Sequence, residues 1–222
     1  MTDEELLMTM HSYPDNIDVL CHRKIRMGVV GDGGWEICDD PEVRPSQPCI
    51  IYSFGINNDF SFDDDAAKVY GCHVYSFDPS MSGLEHYNRS NHVHFYKLGL
   101  DGKTYTNSRN WTMLTLADIR KKLRHENTPV DVIKMDIEYS EWPSIMEMTS
   151  SRALDGVRQL LIEYHVYGTT REELLPRLKA MKAIEAAGFR RFYSHKNVYT
   201  KYSVPGFPVE RTFCYELHYL RH

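Results

Sequence analysis

Cys49-Ile-Ile-Tyr-Ser-Phe-Gly-Ile-Asn-Asn-Asp59 is a short apolar run that ends abruptly in a glycine and a cluster of turn-forming polar residues. Six apolar or small residues, β-branched and aromatic among them, predict a strand buried on both faces over Cys49–Phe54. Gly55 then marks a place where the backbone turns or approaches something closely. Further runs of the same kind follow at His73–Phe77, Val93–Lys97, Val130–Met135 and Gln159–Tyr164. Amphipathic stretches separate them, an alternation that predicts a parallel sheet with crossover helices.

Helix starts are legible at Thr115-Leu-Ala-Asp118 and Thr170-Arg-Glu-Glu173, both capping boxes, and at Ser140, which places Pro143 in a first turn. The acidic Asp63-Asp-Asp65 also reads as a helix start, where carboxylates meet the positive end of the dipole. Phe189–Tyr193 and Phe213–Leu220 lack an intervening helix and should form an antiparallel hairpin at the sheet edge. Residues 1–48, broken by Gly31, Gly33 and Gly34, read as an irregular cover on a single domain spanning 1–222.

The composition narrows the class. With 222 residues, 42% hydrophobic and 26% charged, the chain suits one globular α/β domain. A net charge of −5 without a Lys/Arg run gives no footprint for nucleic acid. No apolar stretch reaches the length of a membrane span. Met1 to Tyr13 is acidic and lacks the basic start and apolar centre of a signal peptide. Nothing in the pattern speaks to oligomeric state.

Among the five cysteines there is no C-x-x-C pair. Cys49, Cys72 and Cys214 lie in apolar runs and read as small buried hydrophobes. Cys21 and Cys38 flank the glycine-rich segment and could form a disulfide. Asn88-Arg89-Ser90 and Asn110-Trp111-Thr112 are glycosylation sequons. Together these slightly favour the secretory pathway, Golgi lumen or exterior, over the cytoplasm.

In an open α/β sheet a ligand lies beyond the carboxyl ends of the strands, beside the switch in strand order. Asp78-Pro79 ends the second strand, 23 residues after Gly55, close to the ~20-residue spacing at which an acid meets a ribose in dinucleotide sites. The nicotinamide fingerprint G-x-G-x-x-G is absent, since Asn57 and Asp59 follow Gly55 where glycines would cradle a pyrophosphate. A cofactor with a ribose but no phosphates fits better, and S-adenosylmethionine is one.

Three further segments carry a specific resemblance. Met27-Gly-Val-Val-Gly-Asp-Gly-Gly-Trp-Glu-Ile37, Val74-Tyr-Ser-Phe-Asp-Pro79 and Val132-Ile-Lys-Met-Asp-Ile-Glu-Tyr-Ser-Glu-Trp142, with the Gly55 stretch, resemble the FkbM-related methyltransferases. Within them the chain is most similar to the animal methyltransferase-like protein 24 group, over roughly residues 20–220. The resemblance implies a class I methyltransferase fold, a Rossmann-like doubly wound sheet. It also implies the cofactor methionine near Gly55, the ribose on Asp78 and the adenine by the Asp101 loop. Ser53 stands where many such enzymes carry an acid.

Two clusters remain. The Gly31-Asp-Gly-Gly-Trp35 turn either folds over the cofactor, with Trp35 as a lid and Asp32 or Arg26 near the methionine head group, or simply tucks Trp35 into the core. Asp136, Glu138, Glu163 and His165 end the fourth and fifth strands. One reading is a hydroxyl-activating site, with His165 as general base or with Asp136, Glu163 and His165 on a divalent ion such as Mg²⁺ or Mn²⁺. The other is structural: Asp136 and Glu138 cap the next helix while Glu163 pairs with Lys134 or an arginine. The expected activity is O-methylation of a sugar, glycan or small-molecule hydroxyl. The rivals are N-methylation and a silent cofactor-binding module.

Overall fold

The computed structural model describes residues 1–83 and 85–222, with the backbone alone at Tyr202. Eight strands form the main sheet: β1 (Ile50–Phe54), β2 (His73–Phe77), β3 (His86–Asn88), β4 (Val93–Tyr96), β5 (Val130–Met135), β6 (Val157–His165), β7 (Phe189–Lys196) and β8 (Cys214–Arg221). Their spatial order is β7-β8-β6-β5-β1-β2-β4-β3. β4, β2, β1, β5 and β6 run parallel, whereas β8 is antiparallel to both β6 and β7. The sequence therefore winds outward from β1 on one side and from β5 on the other. The switch in strand order falls between those two, which is the doubly wound arrangement expected from the alternating pattern.

The five apolar runs all become strands, β2 and β5 with the bounds read from sequence. Every residue of β5 is buried, as a central strand covered on both faces requires. The hairpin is present, but its second strand does not lie at the edge. β8 inserts between β6 and β7, so the last strand of the chain is interior and seven of its eight residues are buried. An apolar, β-branched-poor segment such as Cys214-Tyr-Glu-Leu-His-Tyr-Leu220 is stabilised there because both its edges gain ladder partners.

Five helices accompany the sheet: α1 (Asp3–Ser12), α2 (Ser61–Tyr70), α3 (Leu116–Leu123), α4 (Glu141–Ser150) and α5 (Arg171–Ala186). Thr115 Oγ1 accepts from the Asp118 N–H at the start of α3. At α5 the Glu173 carboxylate accepts from both the N–H and the hydroxyl of Thr170. Ser140 departs from expectation, since it precedes α4 in a helical conformation and its side chain caps nothing.

Residues 1–48 are more ordered than an irregular cover. Thr2 and Glu5 form a capping box on α1, whose Leu6, Leu7 and Met10 are buried in the main core. Lys24–Met27 and Trp35–Cys38 form an antiparallel hairpin. The glycines misled because they sit only in its turn, while the flanking four-residue strands are too short for a clear alternation. Cys21 and Cys38 are joined by a disulfide, as their positions allowed. Cys49 and Cys72 are joined as well, which corrects their reading as isolated buried thiols. They flank adjacent parallel strands whose starts are in register, Ile50 beside His73. Cys214 alone is free, and buried.

Arg120 closes the amino end of the sheet. Its buried guanidinium donates to the carbonyls of His125, Glu126, Thr128, Ala153 and Asp155, tying the loops before β5 and β6 to α3. Removing it strands five acceptors at once. Arg120→Met should destabilise the fold by about 3–5 kcal/mol, and Arg120→Lys should recover little of it because an ammonium cannot reproduce the fork. Denaturant unfolding checks this, and a loss below about 1 kcal/mol would contradict it.

Candidate active site

A cavity of about 560 Å³ opens beyond the carboxyl ends of β1, β2 and β5, within the ~300–1,000 Å³ common for small-molecule sites. Gly55, Asn57, Asp78 and Pro79 form one wall. Asp136, Ile137, Glu138 and Tyr139 form another. The third comes from a small three-stranded sheet of Gly99–Leu100, Tyr105–Thr106 and Thr112–Leu114, through Leu100, Tyr105 and Met113, together with Trp111 beside it.

Asp78 is buried and already oriented. Its Oδ2 accepts from the Asn57 N–H at 2.9 Å, and its Oδ1 accepts from the N–H and hydroxyl of Ser80 at 2.7 and 2.6 Å. A carboxylate has about four acceptor positions, so capacity remains for a ribose hydroxyl. Gly55 lines the cavity with φ +70°, yet its missing Cβ has another cause. A Cβ there would collide with the Asp136 backbone carbonyl, so the close passage of β1 and β5 requires the glycine. On the two flanking loops Asn57, Asn58, Glu138 and Tyr139 all have positive φ, a concentration of strained backbone at the mouth of the sheet.

The other expected cofactor residues are spread more widely. Asp101 stands behind the wall and accepts from the Tyr105 hydroxyl at 2.7 Å, so it orients a lining residue. Asp59 lies outside the cavity lining and accepts from the Ser61 N–H at the start of α2. Asp32 is exposed on the glycine turn. Trp35 is 3% exposed and stacks on His218, with ring centroids 5.5 Å apart, which rules out the lid. The reason is the hairpin: Met27, Trp35 and Ile37 pack into the core, and Arg26 fastens the turn through the Val29 and Gly31 carbonyls while pairing with Glu36.

At the far end of the cavity the strands bring the polar cluster together. His165 Nε2 lies 3.4 Å from Glu138 Oε2 and 4.0 Å from Asp136 Oδ1. Its Nδ1 lies 3.1 Å from Glu141 Oε1, which also accepts the His165 N–H at 2.8 Å. Burial works against a charged ring, but Cys214 and the fully buried Glu141 outweigh it and His165 is pushed up to about 12. It is therefore a cation at neutral pH. Burial, with Asp136 beside it, raises the Glu163 carboxyl to about 8, and Asn197 donates to it at 3.4 Å.

The proposed metal triad is divided. Asp136, Glu138 and His165 present ligand atoms within 4.8 Å of one another, and Glu163 groups instead with His165 and Cys214. Lys134 does not pair with Glu163; its ammonium donates to the Phe54 and Gly55 carbonyls. Neither Asp136 nor Glu138 caps α4 among the described residues.

Several participants were missed in the sequence. Glu141, the orienting partner of His165, follows Ser140 in a run that reads only as a helix start. Asp63 reads as a dipole acid, yet α2 turns it inward, where Ser76 and Ser53 donate to it. Burial raises it to about 6. This buried acid lies beneath Ser53 and outside the cavity lining. Tyr105, Trp111 and Met113 carried no sequence signal, since their loop becomes a wall only in three dimensions.

Fold and cavity together define a class I methyltransferase domain. An acid-tipped β2 and an apolar slab formed by Leu100 and Met113 line its cavity. The chain belongs to the methyltransferase domain family, which matches residues 8–207.

Two curated relatives are each called probable methyltransferase-like protein 24. The human protein is 26% identical over 187 residues, covering 74% of this chain and 49% of its own length. The rat protein is 25% identical over 224 residues, covering 88% and 59%. The chain thus spans about half the length of the curated relatives it matches. Among solved structures, a fibrillarin pre-rRNA processing protein of Methanococcus jannaschii has a TM-score of 0.42 at 11% identity, covering 91% of this chain and 84% of that one. The fibrillarin of Aeropyrum pernix with natively bound S-adenosyl-L-methionine has a TM-score of 0.39 at 12% identity, covering 91% and 84%. These two likenesses carry no weight in the assignment.

Asp78→Ala should weaken S-adenosylmethionine binding by about 1.5–3 kcal/mol, roughly 10–150-fold, without abolishing folding. Calorimetric titration alongside a thermal melt checks it. Unchanged affinity would remove Asp78 from the ribose site.

Proposed function

We propose that the protein transfers the methyl group of S-adenosylmethionine to a hydroxyl, on a sugar, glycan or small molecule. One observation carries the reading: Asp136 and Glu138 stand on the cavity wall with the buried His165 ring behind them. Methyl transfer from a sulfonium needs in-line approach and, for a hydroxyl acceptor, removal of its proton. A protonated imidazole has no lone pair for that task, so the general base moves from His165 to Asp136. His165, held by Glu141, is then a positioning residue that keeps both carboxylates aimed at the cavity and offsets their repulsion. Bound S-adenosylmethionine supplies the methyl group and the positive sulfur that the acid-rich wall suits.

The disulfides Cys21–Cys38 and Cys49–Cys72 support an oxidising compartment, the secretory lumen or exterior. Mass spectrometry of non-reduced peptides from protein secreted by cells should recover both linked pairs. Free thiols at these positions would overturn the assignment. Among the described residues no helix is long and apolar enough to cross a membrane.

With labelled S-adenosylmethionine and panels of oligosaccharide and small-molecule acceptors, label should enter an ether linkage; recovery as a methylamine would favour the nitrogen acceptor instead. Asp136→Asn should lower turnover by about 10²–10⁴-fold while cofactor affinity changes little. Equal turnover in that variant would exclude the carboxylate as base. Loss of activity on chelation with recovery in Mg²⁺ or Mn²⁺ would replace the proton-transfer reading by a metal one at Asp136 and Glu138.

A further inference from the structure

A second polar cluster lies on the sheet face beneath the N-terminal hairpin, apart from the cavity lining. Glu216 and His218 are two residues apart on β8 and share that face. Glu36 comes down onto them from the hairpin strand Trp35–Cys38. One ligand atom from each of the three lies within 4.8 Å of the other two. His218 is fully buried and the Glu216 side chain is 3% exposed.

All three are left with atoms that nothing satisfies. Glu36 Oε2, Glu216 Oε2 and both ring nitrogens of His218 are buried without a hydrogen-bond partner. The Glu36 backbone carbonyl faces the His218 ring without completing a hydrogen bond. Buried polar atoms are nearly always paired, so several orphans converging on one point need an explanation. Beside them the Tyr193 hydroxyl interacts with the Glu36 carboxylate. Arg26 Nη1 lies 2.7 Å from Glu36 Oε1, and His195 Nδ1 lies 3.3 Å from Glu216 Oε1. Arg26 thus orients the Glu36 carboxylate, as an outer partner orients a ligand around a metal, whereas His195 Nδ1 completes no hydrogen bond to Glu216. Trp35 stacks on the His218 ring and seals the face.

We infer that Glu36, Glu216 and His218 bind a divalent transition-metal ion of the zinc class, which clamps the N-terminal hairpin to β8. One imidazole with two carboxylates suits Zn²⁺, whereas Mg²⁺ and Ca²⁺ favour oxygen-only shells with more ligands. Three protein ligands leave a position for water. The hairpin already meets the sheet through Trp35 on His218 and the Cys38 backbone on Gln159, so an ion beside these contacts acts on hairpin docking and not on methyl transfer.

The test uses the intact chain, stripped with a chelator and titrated with ZnCl₂ and MgCl₂ by calorimetry, with thermal melts in parallel. Zn²⁺ should bind at about one equivalent with a dissociation constant of about 1 µM or tighter and raise the melting temperature, while MgCl₂ does neither. The near-isosteric Glu216→Gln and the volume-keeping His218→Gln should each weaken Zn²⁺ binding at least about 100-fold. Asp136→Asn, at the cavity, should leave Zn²⁺ binding as it is. Circular dichroism and S-adenosylmethionine binding establish that each variant folds, and Glu36→Gln, on the exposed side of the cluster, serves if either β8 variant does not. Absence of Zn²⁺ binding in the parent would overturn the inference. So would equal affinity in the Glu216 and His218 variants, or loss of Zn²⁺ in Asp136→Asn alone, which assigns the ion to the cavity.

Discussion

The passage of β1 beside β5 at the switch in strand order is the constraint on which the rest of the molecule depends. Where the two strands end, the chain leaves in opposite directions and a cleft must open. Here that point is unusually tight. Gly55 has no room for a side chain against the Asp136 carbonyl, and the Lys134 ammonium donates to the carbonyls of Phe54 and Gly55. Those contacts set the directions of the two loops that follow, one carrying Asn57 and the other Glu138. The cofactor wall and the acceptor wall are therefore positioned by one local packing event.

Around this point the protein buries charge in small, closed arrangements. Lys134 binds carbonyls, and its charge also draws on Asp63, which holds Ser53 and Ser76 through its carboxylate. Glu141 is enclosed against His165. Isolated buried charges would be prohibitively unfavourable, but each of these is paired or hydrogen-bonded. Glu163 is held in its protonated form well above the usual carboxylate range. Such a carboxyl favours the folded state most at mildly acid pH, and its contribution declines as pH rises from its ordinary range toward 8.

Two regions at the carboxyl end of the sheet differ in what covers them. Asp136 and Glu138 meet the cavity and so can reach a substrate. Glu216 and His218 meet the hairpin and cannot. Both sets come from the same few strand ends, and the hairpin, tied by Cys21–Cys38, packs over the second. A polar residue at the carboxyl edge of this sheet thus serves reaction or docking according to which layer covers it.

Much of this was legible in the linear chain. Apolar runs at the length of strands, separated by helix starts, determined the doubly wound sheet, because burial on both faces leaves only apolar residues in its central strands. Asp78 after β2 and the missing glycines after Gly55 determined the kind of cofactor, because backbone access and hydrogen-bond capacity are local properties. What the chain could not reveal are relations between distant residues. Trp35 as core and not lid, Glu141 as the partner of His165, the Cys49–Cys72 bridge and the interior place of β8 all depend on which elements become neighbours. Asp136 and Glu163 looked like one ligand set on adjacent strands. The register of β6 against β8 put Glu163 beside Glu216 and His165 beside Cys214, and Glu138 joined Asp136 at His165. Pattern along a strand records which face is buried, but tertiary packing alone decides what lies against that face.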